Sequence, residues 1–300
     1  MDAKDIQKCI NEQLDCGDKN PLTLEELNAY LSDYVESNNN SPQNEFEGYS
    51  SVEMKQLLNY TFEDSSPLKL HKLSDEDYAK IPILCQIKHL IQILQNEGKV
   101  KLTAIGNLPT RIVKELYPLG VRDHLIESGI SKLSKESDSQ AVRLTRILLQ
   151  LMRVTKVRHN VLTMTKEGEK IAANNELLMA NLMDTFCLQF NKAYFDGYES
   201  EVIGNMGVGF TLLLLKKYGA EKRSDFFYAE KYFRVFPLFL DGLRLYEASS
   251  CYSIRTFDRL LMHLGLIEIV GGKRYGFIDK YIIKTELYDK LISIEPLHNK

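Results

Sequence analysis

The chain reads as a predominantly α fold with small β-hairpins (α+β), and three observations lead there. Apolar residues recur at three- and four-residue intervals through most of its length. Short extended runs interrupt these helical stretches, and close to the C-terminus a capped helix is followed directly by two strands with a glycine-bearing loop between them.

Taken in order, Ile6, Ile10 and Leu14 predict a short amphipathic helix that Gly17 and Asn20-Pro21 end. Thr23 and Glu26 have the spacing of a capping box, in which hydroxyl and carboxylate satisfy free backbone N–H groups, and Leu24, Leu27, Leu31 and Val35 line the helix that follows. Residues 38–50, rich in Asn, read as a linker. The expected organisation is therefore an acidic helical segment and linker over 1–50, a pair of modules over 51–176, and a helical region over 177–300 that ends in a last module.

After a helix near Val52–Tyr60, residues 67–73 alternate apolar with polar, the period of a half-buried strand. Ser74 then caps a turn of acids, and Ile83, Leu84, Ile87, Leu90, Ile91 and Leu94 form a helical stripe closed by Gly98. Val100–Thr103 reads as a strand and Pro109 as the opening of a helix with Ile112, Val113 and Leu116. A helix over 141–152, two extended runs around Arg158-His159-Asn160 and a helix over 166–173 follow. Further on, Phe226, Phe227, Tyr228, Tyr232, Phe233, Phe236 and Phe239 crowd one stretch, too densely for a single helix face, with Pro237 as an expected kink. Ser253 is the expected cap of a helix bearing Ile254, Phe257, Leu260, Leu261 and Leu264, which Gly265 stops. Strands over 266–270 and 275–284 flank Gly271-Gly272-Lys273-Arg274. A helix running into a twisted hairpin is the winged helix-turn-helix arrangement, so the sequence predicts tandem winged-helix modules preceded by a short helical N-terminal segment.

The runs SPLKLHKLSDEDYAKIP, VKLTAIGNLPTRIVKELYPLG and RLTRILLQLMRV with VLTMTKEGEKIA resemble a winged-helix region of uncharacterised bacterial proteins, some of them related to the plasmid-borne ORF-three-like family. The resemblance covers residues 66–173, and LTAIGNLP at 102–109 is its most specific part. It implies a fold and carries no activity onto particular residues.

The formal charge of −3 hides an asymmetry: residues 1–80 hold seven lysines and no arginine against seventeen acids, a net of −10, which leaves +7 for the remainder. An acidic solvated surface accounts for this, as would an acidic segment covering a basic face. Five scattered cysteines, none in a C-x-x-C pair, point to a reducing compartment, and Met1-Asp2-Ala3-Lys4-Asp5, with no apolar stretch behind a basic start, argues for a cytoplasmic protein without a secretory signal. The run Met206–Leu215 is far short of the ~20 apolar residues of a membrane span.

No residue pattern supports catalysis. The six histidines include no helical i, i+4 pair, no nucleophile elbow is present, and Gly204, Gly207 and Gly209 stand in the reverse order of a dinucleotide loop. Neither a metal nor another cofactor is expected. The pattern that does suggest contact with a partner is cationic. Arg255, Arg259 and His263 recur every four residues opposite the apolar stripe of the last helix, with Lys273 and Arg274 on its hairpin. A second group comprises Arg143, Arg146, Arg153, Lys156 and Arg158. Arginines on a groove-entering helix and cations on a wing are what duplex DNA recognition uses. The expectation is a non-enzymatic DNA-associated or regulatory binding protein. The alternative is a protein-interaction scaffold, with a protein partner or a second copy of the chain as homodimer, because residues 177–300 carry a net charge of only +1 and the aromatic cluster suits an interface.

Overall fold

The structure is a computed structural model and describes residues 24–274 and 277–296. Helices predominate and the sheets are small and antiparallel, an α+β fold. The helix expected around Ile6–Leu14 and the cap at Thr23 lie outside the described residues. Two compact units divide at Glu53 and Met54.

In the first unit α1 (Leu24–Asn40) leads into a turn closed by a bridge between Pro42 and Ser50 and by the Gly48 N–H donating to the Gln43 carbonyl at 2.9 Å. The stretch read as a linker is thus ordered. The Ser50 N–H donates to Glu53 Oε2 (2.8 Å) and the Glu53 N–H to Ser50 Oγ (3.2 Å), a reciprocal cap that starts α2 (Ser51–Asn59).

The second unit, 54–300, runs β1 (Leu68–Leu70), α3 (Asp75–Tyr78), α4 (Pro82–Glu97), β2 (Val100–Lys101), α5 (Thr110–Leu116), α6 (His124–Glu127), α7 (Gln140–Leu151), β3 (Thr155–Arg158), β4 (Val161–Met164), α8 (Lys166–Ala172) and α9 (Asn175–Asp184). Then follow α10 (Val208–Tyr218), β5 (Arg223–Ser224), α11 (Asp225–Val235), α12 (Leu245–Ser253), β6 (Ile267–Arg274), β7 (Phe277–Lys284), α13 (Glu286–Leu291) and β8 (Ile292–Ile294). Residue 176, the expected second boundary, falls inside α9.

One order of elements occurs twice. From α4 to β4, and again from α10 to β7, a helix is followed by a short strand, further helices and a hairpin, and in both sheets the last strand is central: β2-β4-β3 and β5-β7-β6. The apolar stripe of α4 is buried throughout, and Gly98 at φ +71° ends that helix. Helix α10 is buried almost all round, which Phe210 and the unbroken run Leu212 to Leu215 require. Of the aromatic cluster, Tyr228, Tyr232 and Phe233 are buried, with Tyr232 near the buried Tyr252 at a ring-centroid distance of 4.4 Å, while Phe227, Phe236 and Phe239 are half-buried and Phe226 lies at the surface. Outside these halves, β1 and β8 pair, Leu68 against Ile294, and so tie the two ends of the unit together.

The structure corrects three local expectations. Helix α11 ends at Val235 and a short 3-10 turn, Pro237–Leu240, follows, so Pro237 terminates the helix where a kink was expected. Ser253 caps nothing: α12 begins eight residues earlier and continues through it into a π-helical stretch, Ile254–Leu261, while the Ser253 hydroxyl donates to Asp225 Oδ2 at 2.6 Å. Strand β6 extends through Gly271–Arg274, where a loop was expected, pairing Arg274 with Phe277. Among the described residues no helix is long and apolar enough to cross a membrane.

The LTAIGNLP run forms a fixed loop. The Thr103 N–H donates to the Asn107 carbonyl (2.8 Å), the Gly106 N–H to the Thr103 carbonyl (2.8 Å) and the Asn107 N–H to Thr103 Oγ1 (3.0 Å). Asn160, at the tip of the β3-β4 hairpin, accepts from the Leu102 N–H (2.9 Å) and donates its side-chain amide to the Thr103 carbonyl (2.6 Å). On the far side of the hairpin, Gly168 lets α8 lie against it: a Cβ at Gly168 would stand 2.1 Å from the Val154 carbonyl oxygen, a backbone atom unable to yield. Gly168→Ala should therefore destabilise the fold by roughly 1–3 kcal/mol through overpacking. A chemical-denaturation midpoint equal to wild type would contradict this close approach.

Candidate nucleic-acid interface

Helix α12 with its π-helical continuation carries Arg255, Arg259 and His263, and the structure buries Arg255 and His263 and half-buries Arg259. Arg255 has 0% relative exposure. Its Nε and Nη2 donate to the two oxygens of Asp196 at 2.9 and 2.7 Å, and Nη1 donates to the carbonyls of Ser200 (2.6 Å) and Ile203 (2.8 Å). All three nitrogens of the guanidinium are thereby engaged. Arg259, one turn on, donates to Asp196 Oδ2 (2.5 Å) and to the Phe195 carbonyl (2.9 Å). Burial alone would raise the Asp196 carboxyl; the hydrogen bonds and charge of Arg255, with the Tyr198 N–H and Arg259, reverse this and hold it below the usual carboxylate range.

The segment that supplies these acceptors, residues 190–206, joins the two halves of the unit and lies across the third helix of the second half. Gly204, at φ +74°, is required there, because a Cβ would come within 2.8 Å of Arg255 Cβ. The same segment engages the first half: Arg143 donates to Tyr194 Oη at 2.6 Å, with its guanidinium 5.0 Å from the Tyr194 ring centroid and 5.6 Å from that of Phe195. Arg146 is occupied as well, its Nε 2.6 Å from Oε1 of Glu136, whose other oxygen accepts the Leu108 N–H at 2.6 Å. His263 is buried beside Phe186, its Nδ1 has no partner, and its carbonyl accepts the Ile83 N–H at 3.0 Å. Burial pushes its pKa down to about 4. Lys273 and Arg274 lie on β6, but their side chains are outside the described residues.

The solvent-facing helix surface expected at 255–263 is therefore absent, and Arg143 and Arg146 serve packing. What remains of the second group is Arg153, at the exit of α7 with φ +58°, and Lys156 and Arg158 on β3, all exposed. The register adds a residue that sequence reasoning missed. Val161 in the central strand pairs with Lys101 on one side and Arg158 on the other, and Lys156 pairs with Thr163. Cross-strand partners share a face, and residues two apart share it too. Lys101, Lys156 and Arg158 thus occupy the outer face of one sheet, while Val100 and Leu162 point to the core. None of the three takes part in an ion pair among the described residues. Lys101 belongs to a two-residue strand, too short for alternation to reveal its face. Asp196, also missed, sits in the acidic stretch Asp196-Gly-Tyr-Glu-Ser-Glu201, the one signal that an arginine pair had a partner nearby in space. Among the described residues no group of three His, Cys, Asp or Glu side chains is placed to hold a metal ion.

Two outcomes follow for stability. Asp196→Ala strands a buried guanidinium and should cost about 3–5 kcal/mol in a denaturant titration, a typical cost of removing one partner of a buried pair. His263 is neutral in the folded chain, whereas the unfolded chain takes up a proton below the ordinary value of 6.5. Stability should accordingly fall as pH drops from 6.5 towards about 4, by of order 3 kcal/mol in all, and this component should level off below that. His263→Gln should flatten that window; an unchanged slope would show that the buried imidazole does not set it. Compared with family models, with curated proteins and with solved structures, the chain matches none.

Proposed function

We propose that the two halves of the second unit are fused winged-helix modules and that the chain is a non-enzymatic, cytoplasmic DNA-associated or regulatory binding protein, which meets duplex DNA through the outer face of the β2-β4-β3 sheet. The repeated element order and the central position of each last strand support the module assignment. One observation carries the functional reading: Lys101, Lys156 and Arg158 share an exposed sheet face without a carboxylate partner among the described residues. Cations already neutralised inside a protein cannot release counterions from a phosphate backbone, whereas unpaired surface cations can. Contact through α7 and α12 is disfavoured, since their arginines are engaged by Tyr194, Glu136 and Asp196.

A second reading, a protein-interaction scaffold, draws on a different surface. Leu238 is 84% and Tyr246 68% exposed, both bordering the connection between α11 and α12. Exposed aromatic and aliphatic side chains of this kind suit an interface. Concentration-dependent self-association abolished by Leu238→Asp would favour it.

The DNA reading is tested by anisotropy of a labelled duplex between about 50 and about 200 mM salt. Binding should weaken steeply with salt, and the triple change Lys101→Ala, Lys156→Ala, Arg158→Ala should lower the log–log salt slope by roughly three while leaving the melting temperature unchanged. Absence of binding at the lower salt, or a slope untouched by the triple change, overturns the reading.

A further inference from the structure

We propose that Ile105 is an apolar wedge that enters the base stack of the duplex held by the β2-β4-β3 sheet and bends it; this rests on the DNA reading above. Ile105 is 77% exposed and sits at the apex of the turn Thr103–Gly106. Single exposed apolar residues are ordinary on protein surfaces. Two features set this one apart, its mounting and its neighbours.

The mounting is rigid. The turn is closed by the Gly106 N–H to the Thr103 carbonyl and braced by Thr103 N–H and Oγ1 against Asn107. It is bonded to the tip of the hairpin through Leu102 and Thr103 to Asn160. On its other side the Leu108 N–H is held by the buried carboxylate of Glu136. An exposed side chain on a fixed backbone can enter a stack with little further ordering of the loop.

The neighbours are cationic. Lys101 lies two residues before the turn, and through the pairing of β2 with β4 the turn stands at the same end of the sheet as Arg158. Residues 99–110, which frame the wedge, contain two lysines and no acid. Phosphates held by Lys101 and Arg158 would bring the groove edge against Ile105. Proteins that insert one apolar side chain between base steps offset the cost of unstacking with the additional backbone contacts that the bend permits. An anionic membrane would also meet cations beside an apolar tip, but one aliphatic side chain buries too little surface to anchor a chain there, whereas one suffices to open a base step.

The test uses the full chain with a short duplex labelled at both ends, reading affinity by anisotropy and end-to-end distance by energy transfer. Wild type should bind and shorten the distance. Ile105→Ala should bind within about tenfold of wild type but leave the duplex straight, and Ile105→Leu should restore the bend. Wild-type binding without bending, or equal bending by Ile105→Ala, overturns the wedge and leaves the sheet reading standing. No binding by wild type overturns both. Ile105-dependent pelleting with phosphatidylserine vesicles, with the duplex left straight, would assign the tip to a membrane and likewise overturn it.

Discussion

Asp196 and Arg255 form the contact on which the arrangement of the second unit depends. A guanidinium at zero exposure is tolerated only when its charge and its donors are met, and here one carboxylate and two backbone carbonyls meet them. That demand fixes the path of residues 190–206 across the third helix of the second half. It requires a residue without a Cβ at Gly204 and leaves Arg259 no better partner than the same carboxylate. Since Tyr194 and Phe195 of the same segment hold Arg143 on α7, one stretch of chain packs against both α7 and α12. Lys192, buried near its start and pushed down to about 8 by burial, donates to the Cys187 carbonyl at 3.0 Å, so the beginning of the segment is pinned as well.

The hairpin of the first half follows the opposite logic. Its inner face contributes Leu162 to the core, while on its outer face Lys101, Lys156 and Arg158 are exposed and form no ion pair among the described residues. The hairpin is held by main-chain bonds through Asn160, by the Thr165 hydroxyl on the Arg153 carbonyl at 2.7 Å, and by the close seat of Gly168. None of these uses a cation. Structural and binding roles are therefore carried by different residues here, whereas on α12 any binding role would have to compete with a buried network.

Part of the order of elements was legible in the sequence, because periodicity, caps and glycine stops are local. The stripe from Ile83 to Leu94, the stop at Gly98 and the turn at His159-Asn160 are each set by residues within a few positions. Burial of Arg255 was not legible, since its carboxylate lies 59 residues away and nothing in the spacing of positions 255, 259 and 263 distinguishes a solvated face from one covered by another segment. Ser253 was misread for the same reason: its hydroxyl finds Asp225 across the module, and a serine that satisfies a distant carboxylate looks in sequence like a serine that satisfies its own helix. The outer sheet face was half visible. Lys156 and Arg158 alternate on one strand, but the third cation joins them only through the register of β2 with β4.

Charge spacing on a helix thus has two outcomes that differ by one acid elsewhere in the chain. Arginines a turn apart attract phosphate when their only partner is water, and bind a segment of their own protein when a carboxylate is brought within reach. The second outcome excludes the first, because the carboxylate offsets the guanidinium's charge and occupies the donors that phosphate would use. A small sheet escapes this competition more readily than a helix. Its outer face is left bare by construction unless another layer covers it, and side chains there stand away from the backbone with no neighbour above. On those grounds the cations of a two- or three-stranded hairpin sheet are better indicators of an external polyanion than the more regularly spaced arginines of a helix with other segments packed around it.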